Sequence, residues 1–161
     1  MIKSLEDCRN KKFLELLSWW EKACPSKGLP LRSAFDPLDH PKLWPQMFIC
    51  DVRYYDNNKL KFIYRYVGGE IERAFNVACT GRSIDDPLIE DNKNLSNEQF
   101  EECIKDRNPV YCRHNFTNRN MRELEFERII APMSRHGDEA DSVIGVYEFS
   151  KAWNHKQKRL Y

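Results

Sequence analysis

An arginine stands where the pattern asks for an apolar side chain. Arg128 alternates with Leu124, Phe126 and Ile130, so period-2 spacing puts its guanidinium on an otherwise apolar strand face. A charge on such a face must be paired or must meet a ligand, because leaving it bare in a low-dielectric interior is costly. Arg128 is therefore the first candidate ligand contact. Glu127 poses the same question more weakly on the opposite face, beside Ile129, Ala131 and Met133. Tyr64 and Tyr66 share a face of an earlier strand and combine an apolar body with a polar tip. That suits the mouth of a pocket, and equally core packing with hydroxyls at the sheet edge. Arg65, on the other face, calls for an acid such as Glu127, either as an ion pair or at a site. His114 falls with Val110, Cys112 and Phe116, where an imidazole could serve as a haem ligand or a pH-sensitive group. Asp51 with His114 could also imitate the Asp/His pair of a small isomerase- or dehydratase-like pocket.

Recognisable catalytic words are missing: there is no G-x-S-x-G, H-E-x-x-H or phosphate-binding glycine loop. No metal site is expected, since the cysteines at 8, 24, 50, 79, 103 and 112 form no C-x-x-C pair and read as reduced thiols. With 26 basic and 25 acidic side chains the net charge is +1, so no global field draws in nucleic acid or an anionic membrane. No run approaches the roughly 18 apolar residues of a membrane span, and the charged first residues are no secretory signal. The expected location is cytoplasmic, with neither nucleic acid nor membrane as a partner.

The elements that must position these groups read as one domain over 1–161. An amphipathic helix spans about Ser4 to Cys24, with Phe13, Leu16, Leu17 and Trp20 on one stripe and Leu14 and Trp19 widening it. That stripe packs on its own domain or supplies a dimer or partner interface. A proline-broken connector covers 25–45, with Leu38, Leu43 and Trp44 tucked inward. Gln46–Tyr55 and Lys59–Val67 form a hairpin around Asp56-Asn57-Asn58. Gly68-Gly69 breaks the second strand, and Ile71, Ala74, Phe75 and Ala78 lie on one face of the short helix that follows. Ser96-Asn97-Glu98-Gln99 has the form of a capping box opening a helix to Arg107. Three strands follow: Val110–Thr117, a polar turn at 118–120, Arg122–Met133, and Ser142–Phe149. A basic tail at 151–161 closes the chain. This order gives an α+β fold.

Particular words in this order resemble a divergent bacterial subgroup of the PAS domain, often found as short stand-alone proteins. They are Leu16-Leu17-x-Trp19-Trp20, Leu29-Pro30 with Arg32, Asp36-Pro37, Pro45 with Phe48, and Asp51-Val52. Phe62-Ile-Tyr64-Arg65-Tyr-Val67-Gly68, Thr80-Gly81-Arg82, Pro109-Val110, Phe126-Glu127-Arg128, Pro132 and Gly145 complete the set. One departure is Gly69, where the subgroup often has a hydroxyl residue. The resemblance implies a five-stranded antiparallel sheet with helices over one face of its 46–150 core, preceded by the amphipathic helix. It also implies a sensory role: a small molecule held by Tyr64, Tyr66, Ile71, Phe75, Phe126 and Arg128, or a protein partner or homodimer joined through Phe13, Leu16, Leu17 and Trp20. A ligand-free dimerisation scaffold and a small pocket enzyme are the alternatives, and no catalytic residue is assigned. The cofactor is unknown. Haem is unexpected, since such domains draw their iron ligand from the helical side and the 97–107 helix has no histidine. Flavin photochemistry is unexpected because Ala78-Cys79-Thr80 differs from the Asn-Cys-Arg word it needs.

Overall fold

The computed structural model describes residues 2–89, 93–117 and 122–149; the expected turn at 118–120 and the tail at 151–161 lie outside them. The strands are β1 (Ile2–Lys3), β2 (Met47–Tyr54), β3 (Leu60–Val67), β4 (Val110–Thr117), β5 (Glu123–Met133) and β6 (Ser142–Phe149), and the helices are α1 (Lys11–Ala23), α2 (Gly69–Phe75) and α3 (Lys93–Asp106). All six strands join one antiparallel sheet in the order β1-β4-β5-β6-β2-β3. The early hairpin and the last three strands therefore share a sheet, with β6 between β5 and β2.

The sixth strand is a correction to the expected five. Ile2 and Lys3 pair with Cys112 and Tyr111, and the leading helix starts at Lys11 instead of Ser4 because Asn10 caps it, its side chain accepting from the Lys12 and Phe13 amides.

Helices cover both faces. On the inner face, Phe100 of α3 meets Phe48 and Phe62 at 5.9 and 5.0 Å between ring centroids, and Phe75 of α2 meets Tyr147 at 5.6 Å. On the outer face, Phe13 of α1 meets Tyr111 at 6.1 Å, and the Trp20 indole donates to the Pro132 carbonyl at 2.8 Å. Strands β5 and β6 are accordingly buried almost continuously along their inner ends, where alternation disappears. In the connector, Leu43 is buried as expected, but Leu38 is 76% exposed and Trp44 37%. Phe35 fills that role instead, in edge contact with Trp19 and stacked on His40. The outer edge of β3 is closed by residues 81–84, with Tyr64 and Ile84 amides donating to the Arg82 and Phe62 carbonyls at 2.9 and 3.0 Å.

Two glycines are demanded by close approach. A Cβ at Gly145 would overlap the ring of Phe48, its cross-strand neighbour, and one at Gly68 would overlap the carbonyls of Trp44 and Pro45. The Pro45, Phe48, Gly68 and Gly145 words are thus one packing joint between β2, β6 and the start of α2. Replacing Gly145 with alanine is expected to cost about 1–3 kcal/mol through the displaced Phe48 ring, read as a lower urea midpoint with an unchanged m-value.

Candidate functional site

Arg128 sits on the inner face of β5, 1% exposed. Its strand partners are Cys112 on β4 and Tyr147 on β6. The guanidinium carbon lies 5.1 Å from the Phe100 ring centre and 5.2 Å from those of Phe126 and Tyr147. Three π faces thus replace part of the lost hydration. Its N–H groups donate to Gln99 Oε1 at 2.6 Å, Tyr147 Oη at 2.7 Å and Ser96 Oγ at 3.3 Å. Tyr147 continues the chain to Tyr64, hydroxyl to hydroxyl, at 3.5 Å. Burial pushes the Tyr64 hydroxyl well above the usual phenol range, with Tyr147 adding to it, so Tyr64 is neutral at physiological pH.

Gln99 was missed as a site residue, and its buried amide is the hub. Its nitrogen donates to the Val110 and Arg128 carbonyls at 3.2 and 3.4 Å, while its oxygen accepts from Arg128 and from the Cys112 thiol at 3.1 Å. Ser96 does not open the helix: α3 already begins at Lys93. Ser96 and Gln99 are one turn apart on a helix, so their spacing puts both on the same face. The i, i+3 polar pair read as a capping box is what reaches the arginine.

The predicted ligand set divides. Tyr64, Ile71, Phe75, Phe126 and Arg128 are all buried around the inner layer. Tyr66 is 39% exposed, and its hydroxyl donates to the Trp44 carbonyl at 3.2 Å on the outside. A β-bulge causes this. Cys50 pairs with Tyr64 but Ile49 pairs with Tyr66, so Arg65 is an extra residue and the alternation of β3 inverts after it.

The expected Arg65–Glu127 pair does not form. Arg65 bonds Asp51, which also accepts from Arg32, while Glu127 bonds Arg113 across β4 and β5. Asp51 and His114 are not brought together either. Strands β2 and β4 are separated by β6 and β5, roughly 14 Å of sheet, and the two residues belong to opposite faces. His114 lies on the inner face, its ring 5.7 Å from Phe126, and its Nε2 is buried without a hydrogen-bond partner among the described residues. Burial first, then nearby positive charge including Arg128, pulls the imidazole down to about 4, so it is neutral at physiological pH. Of the residues proposed for an interface, Phe13, Leu16 and Trp20 are buried under the chain's own sheet and Leu17 is partly buried. Their stripe is spent within the molecule. Cys79 is buried, and burial followed by the Glu72 charge pushes its thiol up to about 12.

Comparison with known proteins gives the family. A model described as PAS domain matches residues 9–148. Among solved structures, the Rhodobacter sphaeroides LOV protein is 9% identical with a TM-score of 0.52, over 73% of this chain and 69% of that one. The PAS domain of a Colwellia psychrerythraea protein is 8% identical with a TM-score of 0.52, over 73% of this chain and 99% of that one. A fungal LOV domain photoreceptor is 12% identical with a TM-score of 0.51, over 84% of this chain and 89% of that one. At such identities the likeness is one of fold. No curated protein matches the sequence.

Two outcomes follow from the buried network. Tyr147→Phe removes an acceptor from a buried guanidinium and is expected to destabilise the fold by about 1–3 kcal/mol, measured by chemical denaturation. His114 is partly buried and its pKa is lowered, so the folded state binds fewer protons than the unfolded one, whose imidazole titrates at ~6.5. Its contribution is complete above that value and is lost as pH falls toward about 4. His114→Gln is expected to flatten the stability-pH curve in that window, with thermal midpoints as the readout.

Proposed function

We propose a sensory or regulatory role for this chain, which belongs to the PAS domain family: it takes a small molecule between the sheet and helices α2 and α3. The observation that carries this reading is the Arg128 cluster, a buried cation bonded at once to α3 and to β6 and ringed by three aromatic faces. The ligand such a cluster favours has a flat apolar body and an anionic or strongly accepting group that exchanges with the protein acceptors of the guanidinium. Tyr64, Ile71, Phe75 and Phe126 are the proposed walls, and the Nε2 of His114, without a hydrogen-bond partner among the described residues, is a further polar contact.

The same geometry supplies a route out of the layer. Cys112 donates its thiol to Gln99 on the inner face, and its neighbour Tyr111 packs on Phe13 of α1 on the outer face. A ligand that rearranges Arg128 and Gln99 shifts β4, and α1 moves with it; a partner protein or a second copy reads that change. A scaffold reading is favoured by one feature, the 45% exposure of Leu14 on α1. If α1 mediates dimerisation, Leu14 is the residue to test, because Trp20 belongs to the core.

Native mass spectrometry of freshly purified protein separates these readings. The sensor predicts a co-purifying small-molecule mass that is lost from a folded Arg128→Lys variant. The scaffold predicts a bare dimer that becomes a monomer in Leu14→Glu. A ligand-free monomer that stays so when cell metabolite extract is added would sink both.

A further inference from the structure

Residues far apart in the chain converge on the outer face of the β2–β3 hairpin. Asp51 is 2% exposed, and each of its carboxylate oxygens takes one guanidinium: Oδ1 accepts from Arg32 Nη1 at 2.7 Å, and Oδ2 accepts from Arg65 Nε. Burial would raise this carboxyl, but the N–H groups of Arg65 and Arg32 outweigh it and hold it below the usual carboxylate range.

Both arginines are aimed. The Arg32 amide donates to the Ser134 carbonyl at 2.8 Å, which anchors its backbone. Arg65 is the bulged residue of β3, and bulges redirect side chains. Each guanidinium has five N–H donors, and among the described residues only one of each is used. The Arg32 and Arg65 side chains remain 29% and 53% exposed. Next along the same face, Arg53 and Lys61 are exposed and stand directly opposite each other across the ladder. Like charges in that relation repel. Arg32, Arg65, Arg53 and Lys61 thus place four basic side chains along this face, two of them bonded to Asp51.

We propose that this face is an oxyanion site whose ligand is a phosphate monoester. The Asp51 carboxylate acts as a clamp that holds two guanidinium forks side by side with their remaining donors outward. Three terminal phosphate oxygens match two forks, and a charge near −2 at neutral pH relieves the Arg53–Lys61 repulsion. The monoester comes either from a free metabolite or from a phosphorylated side chain of a partner protein. This site is separate from the Arg128 layer, on the other face of the sheet, and does not depend on that reading.

The test uses the full chain at low salt and follows amide and arginine Nε resonances during titration with phenyl phosphate. A phosphoserine peptide of otherwise neutral sequence and its unphosphorylated twin form the second arm. Saturable binding confined to 32, 51–53 and 61–65 is expected, weakening on adding salt. Phosphopeptide binding about tenfold or more tighter than phenyl phosphate assigns the partner-protein source; comparable affinity assigns the metabolite. The exposed-site variants Arg53→Ala and Lys61→Ala are expected to keep the wild-type melting point while each weakens binding about three- to tenfold. Arg65→Gln should abolish it, with circular dichroism confirming the fold. No saturation by either probe up to roughly 10 mM, equal binding of the unphosphorylated twin, or unchanged affinity in Arg53→Ala and Lys61→Ala would overturn the proposal and leave the cluster as a structural brace.

Discussion

A guanidinium cannot be left bare inside a protein, and much of this structure answers to that constraint. Taking the Arg128 charge out of water costs several kcal/mol, recovered only if donors find acceptors and the cation finds polarisable neighbours. Gln99 and Ser96 must come from one face of α3, Tyr147 from β6, and the flanking rings from α3, β5 and β6. The sheet order makes this possible by placing β6 beside β5, with α3 lying over β4 and β5. Removing any of these elements strands a charge, so the network ties the position of α3 to the register of the sheet. The coupling that stabilises the fold is also what would let an event at the arginine be felt elsewhere.

The sheet separates two electrostatic regimes. On the inner face one cation is enclosed by rings and neutral polar groups, with an uncharged His114 nearby. On the outer face of β2 and β3 a buried carboxylate organises arginines whose outer halves remain in solvent. The β3 bulge helps create both regimes at once: it keeps Tyr64 inside, turns Tyr66 out and supplies Arg65 to Asp51. A single inserted residue thus decides which side chains belong to which face.

Much of the inner layer was legible because burial leaves a period. Arg128 was conspicuous among Leu124, Phe126 and Ile130, and the structure puts it, Tyr64, Ile71, Phe75 and Phe126 in one layer. The misses share a cause. Tyr66 was assigned to the pocket because alternation was assumed to continue through Arg65, and strand patterning carries no marker for a bulge. Gln99 and Ser96 were read for what they do to their own backbone, whereas their side chains serve a strand about thirty residues later. The stripe of α1 left packing on its own domain and a partner surface both open, because an amphipathic helix shows that it needs a cover without showing which one.

By itself, the sequence determined that this chain alternates short strands and helices, that its elements come in the order of an α+β fold, and that one arginine must be buried or bound. These are local matters, set by spacing, turn chemistry and the cost of desolvating charge. Only the tertiary structure decided the partners: Arg65 with Asp51, Glu127 with Arg113, α1 with the outer face, and the distance between Asp51 and His114. Those depend on strand order and register, which bring together residues far apart in the chain and which no local pattern encodes.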